Sequence, residues 1–300
     1  MEQNELISRI NRLKKEKKAV ILVHNYQRPE VYEVADFLGD SLELSMCAAE
    51  TNADIIVFCG VDFMAESAKI LNPGKIVLIP SKEANCPMAG MVDVNGLKEL
   101  KKKHPDAAVV SYINTNAEIK AESDVCCTSA NCVEIVNSLP NKKIIFTPDK
   151  NMADYIQTKT NKQIIPWEGF CYVHAKITAD KVKEAKKLHP KAKVVAHPEC
   201  IPEVIKLADH VCSTGGMIKY AKENSATEFI IATEEGMRTR LMKEVPGKKF
   251  YMVGGVCVQQ KKINLQNIYD SLAKLQFKVE VPEKIMAKAK KALDKMLALK

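Results

Sequence analysis

Leu97-Lys98-Glu99-Leu100-Lys101-Lys102-Lys103-His104-Pro105-Asp106-Ala107-Ala108-Val109-Val110 is matched 85 residues later by Val182-Lys183-Glu184-Ala185-Lys186-Lys187-Leu188-His189-Pro190-Lys191-Ala192-Lys193-Val194-Val195. Both stretches read as a basic amphipathic helix, stopped before a His-Pro turn and followed by a buried strand. A third, looser copy opens the chain: a helix over 5–17 with Leu6, Ile10 and Leu13 on one face, then a strand over 19–24.

Each copy continues alike. The first strand runs into polar residues: His24-Asn25-Tyr26, Tyr112-Ile113-Asn114 and His197-Pro198-Glu199. Next strands are expected over 55–59, 125–128 and 210–213, and further ones over 75–80, 143–148 and 228–233, with helices between them. On this reading the first unit carries extra helical sequence over 29–51. Strands alternating with helices give a small parallel sheet with helices on its faces. The fold class is therefore α/β, with three similar units that can pack with pseudo-threefold symmetry. Ligands bind at the carboxyl ends of such strands, so converging ends favour one central site over three separate ones.

The expected division is 1–96, 97–181 and 182–270 for the three units, with 271–300 as a C-terminal segment. That segment carries a helix from Pro282 onward, with Ile285, Ala289, Ala292, Leu293 and Met296 on its apolar face. A basic amphipathic helix can lie on a membrane, but packing back on the first unit is the preferred reading.

The composition, 46% hydrophobic and 27% charged, is that of a globular chain. No apolar run approaches the ~18 residues of a membrane span. The run over 19–23 is too short for a signal-peptide core, so a cytoplasmic protein with no membrane partner is expected. The net charge of +8 comes from 40 Lys and 5 Arg against 37 acids. Dispersed lysines make a solvated surface first and a field for anionic substrates second. Nucleic-acid binding would call for arginine clusters and more than 6% aromatics, so no nucleic-acid partner is expected.

Ten cysteines stand out, at 47, 59, 86, 126, 127, 132, 171, 200, 212 and 257, with no C-x-x-C among them. Cys59 and Cys212 fall in apolar strands and read as small hydrophobes. Cys86, Cys171 and Cys257 instead keep the repeat period in loops, 85 and 86 residues apart. One thiolate per unit around a common centre suits a soft metal or an iron–sulfur cluster. Chance spacing among ten cysteines is the competing reading. Cys126, Cys127 and Cys132 lack the spacing of a ferredoxin site and read as buried thiols.

Several longer motifs follow in order. They are His24-Asn25-Tyr26 with Pro29-Glu30-Val31, Gly39-Asp40-Ser41-Leu42-Glu43-Leu44, Cys59-Gly60-Val61-Asp62-Phe63-Met64-Ala65-Glu66, Tyr112-Ile113-Asn114-Thr115 and Cys127-Thr128-Ser129-Ala130-Asn131. Then come Gly169-Phe170-Cys171 with His174, His197-Pro198-Glu199-Cys200, Ser213-Thr214-Gly215-Gly216 and Thr233-Glu234-Glu235-Gly236. Over essentially its full length the chain resembles the quinolinate synthase family, enzymes of NAD biosynthesis. It departs at Asn25, where the family pattern suggests an aromatic, and at Val258-Gln259-Gln260, where it suggests Pro and Met.

The resemblance implies three α/β units around a pseudo-threefold axis, and a [4Fe–4S] cluster on Cys86, Cys171 and Cys257 with one iron left open as a Lewis acid. It implies condensation of iminoaspartate with dihydroxyacetone phosphate to quinolinate, with release of phosphate and water. An aspartate oxidase or dehydrogenase would supply the iminoaspartate. His24 and Tyr26, two apart on one side of a strand end, match the family's acid–base pair; a satisfied strand-end histidine is the plain alternative for His24. Glu199 is expected to act as base or proton relay, and His197 to bind substrate. Tyr112 and Asn114 read as hydrogen-bonding clamps, and His174, three residues past Cys171, as a contact to whatever sits there. Ser41, Ser129, Ser213 and Thr214 lie in turns ahead of helices expected over 42–49, 131–137 and 217–224. Recurrence in all three units makes holding anionic substrate groups at the helix starts the preferred role for all four, with plain capping the alternative. His104 and His189, in the helix-ending turns, carry no chemistry. An electron-transfer iron–sulfur protein and a cluster-free phosphosugar-binding protein are the alternatives from other classes.

Overall fold

The apolar runs Val20-Ile21-Leu22-Val23, Ile55-Ile56-Val57-Phe58 and Phe229-Ile230-Ile231 are buried on both faces, as parallel strands between helical layers must be. The computed structural model describes residues 3–298. Its first unit runs α1 (Gln3–Glu16), β1 (Ala19–His24), β2 (Phe37–Gly39), α2 (Ser41–Glu50), β3 (Ile55–Cys59), α3 (Asp62–Leu71) and β4 (Ile76–Leu78). The second runs α4 (Val94–Lys103), β5 (Ala107–Tyr112), α5 (Ala117–Ala121), β6 (Val125–Cys127), α6 (Cys132–Ser138), β7 (Lys143–Thr147), α7 (Lys150–Gln157) and β8 (Gln163–Pro166). The third has α8 (Tyr172–Ala175), α9 (Ala179–Leu188), β9 (Lys193–Ala196), α10 (Pro202–Ile205), β10 (His210–Val211), α11 (Thr214–Glu223), β11 (Glu228–Ala232), α12 (Met237–Glu244) and β12 (Lys249–Met252). Helices α13 (Leu265–Lys274) and α14 (Glu283–Ala298) complete the chain.

The three sheets share one topology: β2-β1-β3-β4, β6-β5-β7-β8 and β10-β9-β11-β12, parallel throughout. The repeat read from the sequence is therefore real, down to the helix ends. His104 and His189 terminate α4 and α9 with nearly the same backbone angles, φ −131 and ψ 67 against φ −128 and ψ 68. A proline next in sequence disfavours continuing the helix at both.

The register of the repeat differs from the sequence reading. Strands over 55–59 and 75–80 were expected to match the second and third segments of the other units, but 55–59 is the third strand. The true second strand, β2, lies inside the stretch expected to be helical over 29–51. That stretch is a 3-10 turn over Pro29–Val34, then β2 and α2. The cause is size: three residues at a sheet edge, with Phe37 exposed, leave no apolar run to read. The fourth strands β8 and β12 escaped notice because they too are short and only partly buried. An aspartate marks the correct register. Asp36, Asp124 and Asp209, each just before or at its second strand, accept 2.8 Å bonds from the backbone N–H of Ile21, Val109 and Val194 in the first strands.

Helix α14 buries Ala289, Ala292, Leu293 and Met296. It rests on α3 of the first unit and also on α5 and β6 of the second, so it bridges the two units. Their sheets share one continuous apolar core with α14, whereas the third sheet has separate apolar clusters on its two faces. No described helix is long and apolar enough to cross a membrane.

Candidate active site

The carboxyl ends of all three sheets open into one cavity of about 690 Å³, including its mouth. Every site residue expected from the sequence lines it except Ser213. The three first strands, β1, β5 and β9, end in His24 to Tyr26, Tyr112 to Asn114 and His197 to Glu199. The period-two geometry of a strand end turns the first and third residue of each triplet to the same side.

His24 and His197 are held alike. Nδ1 of His24 accepts the backbone N–H of Tyr26, and Nδ1 of His197 that of Glu199, both at 3.3 Å. The proton of each neutral ring therefore sits on Nε2. Burial, against the opposing pull of Glu199, lowers both imidazoles to about 3, so both are neutral donors at pH 7.

A hydrogen-bonded chain crosses the cavity. The Tyr26 hydroxyl lies 2.6 Å from Thr233 Oγ1, which lies 2.9 Å from His174 Nε2. His174 Nδ1 lies 2.7 Å from Glu199 Oε2, and its ring stacks on that of His197 at 4.7 Å between centroids. Asn114 Nδ2 donates to the other Glu199 oxygen at 3.3 Å. The two ends differ in character. Burial first, then Glu199, pushes the Tyr26 phenol well above its usual range. Burial also works to raise Glu199, but His174 and the Tyr112 hydroxyl outweigh it and hold the carboxyl low. One end is a protonated acid and the other an ionised acceptor. Thr233 carries no role that its local sequence suggests. Its function depends on partners 207 and 59 residues away, which no local pattern reveals.

The cavity also contains acceptor and donor atoms without a protein partner. Asn114 Oδ1 is buried and unbonded. The hydroxyls of Ser41 and Ser129 line the cavity, and no partner for either exists among the described residues. Thr214 lines it as the first residue of α11, its oxygen accepting from Asn25 Nδ2 at 3.0 Å. Ser213 is different: it caps α11 by accepting from Gly216 N and donates to Asp40 Oδ2 at 2.9 Å. Both departures from the family pattern are structural ties. Asn25 joins the first unit to Thr214 of the third, and Gln260 lies 2.6 Å from Gln27 and 3.5 Å from His24.

Cys86, Cys171 and Cys257 are free, partly buried thiols, one in the loop after the last strand of each sheet, and all three line the cavity. Val61, Phe63, Met64, Met88 and Val173 line it with them and give it apolar walls. Burial pushes all three thiols up. Cys171 Sγ, a His174 ring nitrogen and a Glu199 oxygen lie within 4.8 Å of one another, a donor set able to hold a metal ion. Cys126, Cys127 and Cys132 are buried, and none lines the cavity.

Comparison with known proteins places the chain among sequence relatives. The family model described as NadA, quinolinate synthetase A protein, matches residues 8–298. The quinolinate synthase of Methanosarcina barkeri is 55% identical over 100% of this chain and 99% of its own length. That of Pyrococcus horikoshii is 54% identical over 98% of this chain and 99% of its own, and that of Alkaliphilus metalliredigens 50% identical over the whole of both.

Proposed function

The chain belongs to the quinolinate synthetase A family, and from that membership we propose a reading of its central cavity. It is a quinolinate-forming enzyme of NAD biosynthesis. The substrates are iminoaspartate and dihydroxyacetone phosphate, with phosphate and water released. Cys86, Cys171 and Cys257 hold a [4Fe–4S] cluster. The fit is in the donors: three free thiols, one per unit, in a cavity with apolar walls, suit soft iron–sulfur ligation better than a hard cation. With three protein ligands such a cluster supplies one open iron as a Lewis acid toward a substrate carboxylate, hydroxyl or nitrogen.

The observation that carries the reading is the chain from Tyr26 through Thr233 and His174 to Glu199, which runs beside Cys171. Its ionised end, Glu199, takes a proton from substrate and passes it to His174 Nδ1, while His174 Nε2 returns one through Thr233 to Tyr26. Its protonated end, Tyr26, gives a proton to a leaving hydroxyl. The overall reaction releases water as well as phosphate, so an acid and a base joined by one relay can reset after each proton transfer. His24 and His197 donate from Nε2 to substrate oxygens. Ser41, Ser129 and Thr214 hold phosphate and carboxylate groups, and Asn114 Oδ1 accepts a substrate N–H or O–H. Tyr112 keeps Glu199 ionised. Ser213 secures Asp40 and α11 rather than the ligand.

The proposed divisions at residues 96, 181 and 270 fall inside α4, α9 and α13, so each is set in the loop just before that helix. An aspartate-oxidising enzyme supplies the unstable iminoaspartate. The test is product formation by the anaerobically prepared chain given iminoaspartate and dihydroxyacetone phosphate. Quinolinate and phosphate should appear in equal amounts. Bound iron with no quinolinate would favour the electron-transfer alternative, and neither iron nor quinolinate a phosphosugar-binding protein.

A further inference from the structure

All three cavity cysteines are gripped at their backbone by one repeated device. After the third strand of each sheet stands a carboxylate: Asp62 beyond β3, Asp149 beyond β7 and Glu234 beyond β11. The N–H of Cys86 donates to Asp62 Oδ1 at 3.0 Å, that of Cys171 to Asp149 Oδ2 at 3.2 Å, and that of Cys257 to Glu234 Oε1 at 3.0 Å. A second bond runs beside each. The N–H groups of Asp62, Lys150 and Glu235 donate to the carbonyls of Ala84, Gly169 and Gly255, in every case the residue two before the cysteine. Each carboxylate also takes an N–H from its own segment: Phe63, Met152 and Gly236.

A carboxylate is an unfavourable neighbour for a set of thiolates, because like charges at close range in a low-dielectric site repel. Asp149 and Glu234 are nonetheless fully buried. Glu234 is offset by Lys261 at 3.1 Å, while Asp149 has no ion pair among the described residues. Three independent placements of the same costly group at the same step of the fold call for a geometric reason. We propose that Asp62, Asp149 and Glu234 are positioning residues that fix the three cysteine loops so that their thiolates converge before iron is bound. Resting on the cysteine-ligand reading above, this adds that the second layer of the site has the threefold repeat of the first. Such outer partners orient ligands, and their loss typically costs ~10–100-fold in metal affinity.

The oxygens involved make the test specific. Asp62 serves both Phe63 N–H and Cys86 N–H through one oxygen, Oδ1, so an amide can keep both bonds. Asp149 and Glu234 use both oxygens, so an amide must leave one N–H facing its own NH2. The full chain carrying Asp62→Asn, Asp62→Ala, Asp149→Asn or Glu234→Gln is reconstituted anaerobically, and iron release to a chelator is followed. Asp149→Asn, Glu234→Gln and Asp62→Ala should release iron about tenfold faster or more than wild type. Asp62→Asn should match wild type in release and in melting, while the other cluster-free chains, each short of a buried bond, melt somewhat lower but stay folded at the assay temperature. Wild-type release from both Asp149→Asn and Glu234→Gln would overturn the proposal, as would equal loss from Asp62→Asn and Asp62→Ala. Should Asp149→Asn fail to fold, Glu234→Gln against wild type decides. Cys171→Ala separates the two readings: if it loses the cluster while all carboxylate variants match wild type, the positioning role alone fails. If Cys171→Ala keeps its full cluster, both fail.

Discussion

The first and second units meet very differently from the way either meets the third. Between the first two the contact is apolar and continuous, a single core that α14 seals by burying Leu293 and Met296 against α3, α5 and β6. The third unit is joined largely through polar groups at the site itself: Asn25 to Thr214, Tyr26 to Thr233, Asp40 to Ser213 and Asn114 to Glu199. Its own apolar clusters lie on the two faces of its sheet. The difference teaches that stability and chemistry are divided between interfaces. One joint is built like a protein interior, where each buried methylene counts. The other is a seam of hydrogen bonds, individually worth ~1 kcal/mol, whose members are also the proposed proton carriers and ligand contacts.

Substitutions on the two joints should therefore separate cleanly. The largest effect belongs to the seam: Tyr26→Phe should slow quinolinate formation by ~10²–10⁴, with normal iron content and little change in melting. Turnover at the wild-type rate would demote Tyr26 to packing. Next comes the core joint. Leu293→Ala should cost ~2–5 kcal/mol in denaturant unfolding, while the folded fraction keeps its specific activity. Unchanged stability there would mean that α14 does not knit the two units together.

Acid should then loosen the seam before the core. His24 and His197 are neutral in the fold, with values lowered to about 3 by burial, against the usual 6.5. Since the unfolded chain binds these protons first, the stability is fully present above pH 6.5 and drains away as pH falls toward 3. By pH 5 the loss is ~2 kcal/mol per ring. A His24→Asn, His197→Asn double variant should lose less stability than wild type between pH 7 and pH 5. Parallel pH profiles would refute the assignment.

The smallest effects divide the helix-start hydroxyls. Ser129→Ala and Thr214→Val should raise KM by about tenfold, the scale of one hydrogen bond to a charged group, with iron unchanged. Ser213→Ala should leave KM alone and cost ~1 kcal/mol of stability, as the loss of a cap does. The opposite pattern would return the capping role to Ser129 and the ligand role to Ser213.

How much of this could be read from the chain depends on locality. The helix, His-Pro turn and strand of α4–β5 and α9–β9 are contiguous, and the repeat was legible at once. The cysteine period was legible too, because a rare residue keeps its spacing visible. The second strands were not, since Phe37-Leu38-Gly39 is too short to show a pattern. Nor were the carboxylates that grip the cysteines. They stand 24, 22 and 23 residues before Cys86, Cys171 and Cys257, but acids are common enough to hide such a period. Thr233 was hidden for another reason: both its partners come from distant segments, one of them the other side of the seam.

In the proposed function the three units each give one thiolate to a single iron–sulfur centre. Iron content of the anaerobically reconstituted full chain tests it most directly, compared across Cys86→Ala, Cys171→Ala, Cys257→Ala and the controls Cys126→Ala and Cys132→Ala. Each of the first three should lose the cluster, because two remaining thiolates cannot hold it, while both controls keep most of their iron. Full iron in any of the first three, or its loss in the controls alone, would contradict it.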